Sequence, residues 1–240
     1  MIKESNLVKN INPFVTAKKI SKSYGNNNNV VVLNNASIDL FRGEFLSISG
    51  PSGCGKTTLL KLISGVLTSD RGSITNNFDM PLDFSQISMV NSNDRSFFWR
   101  LSVKENLKFF CSLSDKDSLE KIEQTLILLD IFDKIDLPFM SLSYGERKKI
   151  SIARALLNNS KILLLDEITN SLDISAKKIV ISTLKDLLKK DHLQLIIFAT
   201  HSLDEVISLS NRLLLIKDKA IFTDQRVNEK TLVSDIEKLF

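Results

Sequence analysis

Nine consecutive residues, Gly50-Pro51-Ser52-Gly53-Cys54-Gly55-Lys56-Thr57-Thr58, constrain this chain more than any other feature. They fit G-x-x-x-x-G-K-[ST], a pattern that carries meaning only between a strand and a helix. Both flanks are present. EFLSISG (44–50) reads as a buried strand, and from Lys56 the residues Leu59, Leu60, Ile63 and Leu67 recur at helical spacing until the Gly65 to Ser69 stretch stops them. Three glycines let the backbone curl with its N–H groups pointing inward at a phosphate, and the helix adds its positive N-terminal end. Lys56 is placed to reach β- and γ-phosphates and Thr57 to offer a hydroxyl to Mg²⁺. The bland alternative is a glycine turn with no ligand. Cys54 occupies a variable position of the pattern, so the chemistry does not call on its thiol.

Composition sharpens this reading. Only 8 of 240 residues are glycine, about half the usual roughly 7%, and seven of those eight fall between Gly25 and Gly72. A chain so sparing with glycine places it where the backbone requires it. Gly43, Gly65 and Gly72 are expected at turns or helix ends. Cys54 and Cys111 are too few and too scattered for a disulfide framework or a thiolate metal site, so free thiols are expected. A net charge of +4, spread along the chain, does not argue for nucleic acid. The longest apolar runs, such as Leu195 to Ala199, are far below the roughly 20 residues of a membrane span. MIKESNLVKNINPF lacks the apolar stretch of a secretory signal, which points to the cytoplasm.

Elsewhere, short strands are expected in FVTAKKISKSY and VVVLNNASIDLF, joined by a hairpin loop at the four asparagines 26–29. A strand at QISMV leads into a mainly helical stretch, roughly 91–158, with an amphipathic run from Leu119 to Phe132. β and α then alternate: KILLLD, a helix from Ala176 to Lys190, LQLIIFAT, a short helix near Asp204 to Leu209, and RLLLIK. Runs such as ILLL and LIIF suit a parallel sheet covered on both faces. The segment Asn228 to Phe240 reads as a terminal helix.

Two further constellations accompany the phosphate loop. Ile162 to Leu165 is an apolar strand that ends in Asp166-Glu167, and strand ends of such sheets present ligands. Asp166 suits a metal-held water and Glu167 the orientation or deprotonation of an attacking water, although an acidic pair after a strand is also an ordinary helix cap. Leu142-Ser143-Tyr144-Gly145-Glu146 precedes the helical RKKISIARALL; Ser143 can cap that helix, whose start is a second anion site, and a capped helix with no further role is the plainer reading.

The order of GPSGCGKTT, LSYGE, ILLLDE and Ala199-Thr200-His201 resembles the nucleotide-binding subunit of ABC transporters, from about residue 14 to 223. The resemblance implies an α/β fold: a P-loop NTPase core with a mainly parallel sheet and an N-terminal antiparallel β subdomain (14–90 and 159–223), an inserted α-helical subdomain (91–158) and a C-terminal helix (224–240). It implies ATP and Mg²⁺ as cofactors, with Ser143 and Gly145 facing ATP held by a second copy in a head-to-tail dimer. It assigns His201 to the γ-phosphate, Tyr24 to stacking on adenine, and Ser171-Leu172-Asp173 to communication between subunits. The partner implied is a separate membrane permease, with this chain peripheral on the inner face of the membrane and powering it by ATP binding and hydrolysis.

The chain departs from the family pattern at several places. The usual glutamine after QISMV falls at Asn93, one methylene shorter; Ile168 replaces a proline and Tyr144 a signature glycine. Asp94 to Leu101 resembles a segment of exporter-type, ABC-2-like subunits. Phe97, Phe98 and Trp99 read either as a docking groove for the permease or as packing inside the helical subdomain. Two other function classes stay open: a soluble ABC ATPase acting as a cofactor-assembly scaffold, and a low-turnover nucleotide-dependent regulator, motivated by Asn93. Only 87 positions separate Lys56 from Ser143, which leaves no room for the long coiled coil of repair-type relatives.

Overall fold

The computed structural model describes residues 12–25, 30–76, 78, 80–91, 96–113 and 119–227. The asparagine loop, Asn93 and residues 228–240 lie outside these residues; of the C-terminal helix expected at 224–240, residues 224–226 instead end a strand, Ala220–Arg226.

Two sheets are present. β1 (Val15–Tyr24) lies between β2 (Val30–Leu40) and β4 (Arg71–Asn76) in a three-stranded antiparallel sheet. β3 (Glu44–Ser49) leads through the glycine loop to helix α1 (Lys56–Ile63) and belongs to a six-stranded sheet. It contains β5 (Ile87–Val90), β6 (Ile162–Asp166), β7 (Leu195–Ala199), β8 (Arg212–Lys217) and β9 (Ala220–Arg226), in the order β5-β6-β7-β3-β8-β9. The first five in that order run parallel; only β9 is antiparallel. Helices α2 (Val103–Ser112), α3 (Leu119–Leu128) and α4 (Tyr144–Leu157) come between β5 and β6. Helix α5 (Ile174–Lys189) joins β6 to β7, and α6 (Leu203–Leu209) joins β7 to β8.

Every residue of β3, β6 and β7 is buried, as expected for strands covered on both faces. The period-two alternation of strand side chains then divides the core. Leu163, Leu165, Ile196 and Phe198 face a cluster with Leu107, Leu126, Ile150 and Val180 from α2, α3, α4 and α5. Ile162, Leu164, Leu195 and Ile197 face Leu59, Leu60 and Ile63 of α1 and, from the antiparallel sheet, Val15, Ala17, Ile38 and Leu40. One sheet therefore carries the helical layer on one side and the β layer on the other.

Several expectations need correction. Helix α1 stops at Ile63, so Leu67 packs against the core from the loop beyond it. The amphipathic run that begins at Leu119 is helical to Leu128, and Phe132 starts a separate short 3₁₀ turn. Strands β4 and β9 are not foreseen by the sequence reading, because RGSITN and AIFTDQR are polar and only half-buried. Gly72 lies within β4 and not at a turn: its φ is +81°, and a Cβ there would come 2.3 Å from the carbonyl oxygen of Lys18 on β1. That glycine serves close strand approach.

Candidate functional site

The phosphate loop is built by its backbone. Gly50 leaves β3 with φ +144°, and a Cβ there would lie 2.3 Å from the carbonyl oxygen of Ile216 on β8. Gly55, at φ +114°, stands at the N-cap of α1 with no side-chain hydrogen bond to the helix, and the first turn has no acidic residue. The first N–H groups of α1 are thus left for a ligand.

Lys56 is 5% exposed, and its ammonium donates back to the carbonyl oxygens of Gly50 at 2.8 Å and Pro51 at 3.2 Å. Lys56 thus closes the loop on itself. Next to it, the Thr57 hydroxyl donates to the Asp166 carboxylate at 2.9 and 3.0 Å, so the two groups expected at a metal are already in contact. Burial pushes the Asp166 carboxyl above its ordinary range, and the neighbouring Glu167 charge adds to this; the Thr57 hydrogen bond and Lys61 and Lys56 oppose it. A buried carboxylate at that cost suits a site awaiting a cation. Two hard oxygen donors, with no cluster of three or more His, Cys, Asp or Glu among the described residues, fit Mg²⁺ completed by phosphate oxygens and water.

Glu167 follows with φ +54°, a left-handed conformation uncommon outside glycine. Its N–H donates to Ala199 at 3.1 Å, and its carboxylate lies 3.1 Å from Nε2 of His201. Gly53, Gly55, Lys56, Thr57 and Glu167 line one concavity of about 300 Å³, together with Ser52, Thr58 and Val32. Cys54 is a half-buried free thiol within the same loop. Val32 is an addition from the structure; as one of three successive valines on β2 it gives no signal in the sequence. Tyr24 is partly exposed, its hydroxyl 3.4 Å from Thr58 Oγ1, so the aromatic ring stands beside the phosphate loop.

Ser143 and Gly145 are elsewhere. Ser143 caps α4 in a reciprocal box: its hydroxyl accepts from the Glu146 N–H at 3.3 Å, and its own N–H donates to the Glu146 carboxylate at 2.7 Å. With Asp130, Lys134, Lys149 and Asp173 they line a different cleft of about 620 Å³, which shares no residue with the phosphate-loop concavity. The aromatic cluster divides. Phe97 is buried and stacks on Phe139, centroids 4.4 Å apart, whereas Phe98 and Trp99 are 45% and 46% exposed. The Arg147 guanidinium, one turn into α4, lies 4.4 Å from the Trp99 ring. The packing reading holds for Phe97, whereas Phe98 and Trp99 stand at the surface.

Comparison with known proteins places this geometry. The ABC transporter family matches residues 33–170. The chain is 36% identical over 210 residues to a spermidine/putrescine import ATP-binding protein of Legionella pneumophila, covering 85% of this chain and 56% of that protein. It is 34% identical to the protein of the same name in Clostridium acetobutylicum, covering 84% and 58%. The chain thus spans little more than half the length of these relatives. Their names speak of import, in contrast to the exporter likeness of residues 94–101. Among solved structures, an ABC cassette dimer in a post-hydrolysis state with ADP and phosphate superposes with TM-score 0.79 at 24% identity, covering 89% of this chain and 99% of that one. A metal-chelate type ABC transporter in an inward-facing conformation gives 0.74 at 28%, covering 90% and 84%.

The raised Asp166 pKa has a sign that can be tested. A carboxyl whose folded-state pKa lies above its unfolded value loses stability for the protein as pH rises through that folded value. Asp166→Asn keeps an oxygen to accept from Thr57 and removes the charge. Without nucleotide or metal at neutral pH, it is expected to melt above wild type. The advantage should shrink as pH falls and Asp166 takes up its proton. An equal or lower melting temperature at neutral pH contradicts the assignment.

Proposed function

This chain belongs to the ABC transporter family of ATP-binding cassettes, and on that premise we propose that it binds and hydrolyses ATP as a dimer to power a separate membrane permease. One observation carries the proposal: Lys56, the Thr57–Asp166 pair and the Glu167–His201 pair meet at one edge of the parallel sheet, around the concavity of the glycine loop. The free N–H groups of α1 and the Lys56 ammonium would bind the phosphates, the latter by exchanging its carbonyl partners for phosphate oxygens. Thr57 and Asp166 would hold Mg²⁺, which when bound neutralises charge on the phosphates. Glu167 would orient and deprotonate the attacking water, and His201, 3.1 Å away, would fix the Glu167 carboxylate and reach the γ-phosphate. Tyr24 would stack on the adenine.

The separate cleft of Ser143 and Gly145 supports a composite site. These residues do not line the phosphate-loop concavity of their own chain, so in this reading the signature would complete a nucleotide site from a second copy. Two ATP molecules would then close the dimer, and hydrolysis would reopen it. No helix among the described residues is long and apolar enough to cross a membrane, so the permease is a different polypeptide segment from those described. The exposed rings of Phe98 and Trp99, the latter held to the signature helix through Arg147, support this face as the docking surface for it.

Glu167→Gln keeps the shape of the side chain and removes the base. Turnover is expected to fall at least 100-fold, the scale of general-base catalysis, while ATP still produces a dimer detectable by light scattering. Retained turnover removes Glu167 from the role. The permease reading is tested by purification from detergent-solubilised membranes: a hydrophobic multi-span partner should co-purify, and recovery only in soluble complexes favours the scaffold reading.

A further inference from the structure

Three helices of this chain begin with the same pattern, Ser-x-x-Glu: Ser102 to Glu105, Ser143 to Glu146, and Ser202 to Glu205. In the first two, serine and glutamate close a reciprocal box at the helix start. In the third, Ser202 still accepts from the Glu205 N–H, at 3.4 Å, but the Glu205 carboxylate turns into the protein and is only 4% exposed. Its Oε2 accepts from the Thr200 hydroxyl at 2.5 Å and the Thr169 hydroxyl at 3.0 Å, and its Oε1 takes the ammonium of Lys177. A carboxylate with a solvated local partner within reach is instead buried among three donors from three other segments. Burying it is unfavourable unless all three are held in place.

Those three donors have a property in common. Thr200 directly precedes His201. Thr169 lies two residues after Glu167. Lys177 is in the first turn of α5, where its N–H donates to the carbonyl of Asp173, the residue that caps α5 and lines the signature cleft. Thr200 is also tied to the phosphate-loop strand, its N–H donating to Ile48 at 3.0 Å, and its hydroxyl accepts from the Ser202 N–H at 3.0 Å. The hydroxyl is thus used as both donor and acceptor.

We propose that Glu205 is a positioning residue: its buried carboxylate fixes the segments that bear Glu167 and His201 in their 3.1 Å contact and links them to the Asp173 end of α5. This rests on the roles given above to Glu167 and His201. Glu205 touches neither of those side chains; it acts through Thr169, Thr200 and Lys177. The left-handed backbone of Glu167 needs such external support, because a strained conformation persists only where its surroundings determine it.

Steady-state kinetics separate positioning from mere packing. Glu205→Gln is expected to lower kcat by at least tenfold, since a misplacement near 1 Å costs on the order of 10²-fold. The phosphate loop is untouched, so KM for ATP should stay within about twofold. Thr169→Val should lower kcat in the same way, and Thr169→Ser, which keeps the hydroxyl, should return it to near wild type. Should Glu205→Gln fail to fold, the Thr169 pair decides. Wild-type kcat in Thr169→Val, or a Thr169→Ser protein no more active than Thr169→Val, overturns the proposal. The chain has only two histidines, which gives a readout free of turnover. The imidazole NMR signals of His201 should move in Thr169→Val and not in Thr169→Ser, with those of His192 fixed. A wild-type protein that never hydrolyses ATP sinks the ATPase reading while the His201 signals still judge the positioning, and unmoved signals in Thr169→Val overturn it.

Discussion

The parallel register of β3, β7 and β6 is the constraint on which the rest of the molecule depends. Ile48 pairs with Ala199, and Ala199 with Asp166, so β7 and β6 end level and β3 runs one residue further, to Ser49. The next residues along each strand are the phosphate loop, Thr200-His201 and Glu167. A slip of one residue would carry one of these groups roughly 3.3 Å along the strand, a full break in the site. Burial alternation alone cannot fix this register, because both faces of these strands are apolar and a slip exchanges leucine for isoleucine. Backbone hydrogen bonds at the two ends contribute the missing information. Gly43 donates to Gln194, Gln194 to Lys161 and Lys161 to Gln86 at one end, and Glu167 to Ala199 and Thr200 to Ile48 at the other.

Charged and polar groups gather at that edge. The ammonium of Lys56 rests on two carbonyls, the N-terminal N–H groups of α1 have no side-chain cap, and the Asp166 carboxylate is held against burial by a threonine hydroxyl. Lys56 and Asp166 have partners within the protein, whereas the first N–H groups of α1 have none from a side chain. A polyanion with a divalent cation would improve all three at once, which is how a preformed site couples ligand binding to stability. Glu167 and His201 are 34% and 42% exposed, whereas Glu205, Thr169 and Thr200 behind them are buried.

How much of this was legible in the sequence follows from the range of each interaction. The phosphate loop, the acidic strand end and the capped signature helix are local patterns, and the structure has each at the expected residues. The scarce glycines were a sound guide: the seven from Gly25 to Gly72 all have positive φ, while Gly145 sits inside α4. Gly72 nevertheless misled as to place, since nothing nearby in sequence announces the Lys18 carbonyl it must admit. β4 and β9 are polar strands defined by their partners, β1 and β8, and so lack the apolar signal of β3 or β7. Glu205 was hidden for a different reason. Its Ser-x-x-Glu pattern predicts a capping box, as at Ser102 and Ser143, and only contacts 5, 28 and 36 residues away draw its carboxylate inward. The threonine before His201, which a strand end does not require, is the one local sign.

The central claim is that one nucleotide site takes its phosphate loop from one copy and its signature from another. It is tested most directly by mixing two variants that are each inactive, Lys56→Ala and Ser143→Arg. In a mixed dimer, one site combines both lesions and the other combines the intact phosphate loop of the Ser143→Arg chain with the intact signature of the Lys56→Ala chain. The account expects ATP turnover to reappear on mixing, approaching a quarter of wild type if half the dimers are mixed and each has one working site. A mixture as inactive as its components, despite demonstrated exchange of subunits, would contradict it.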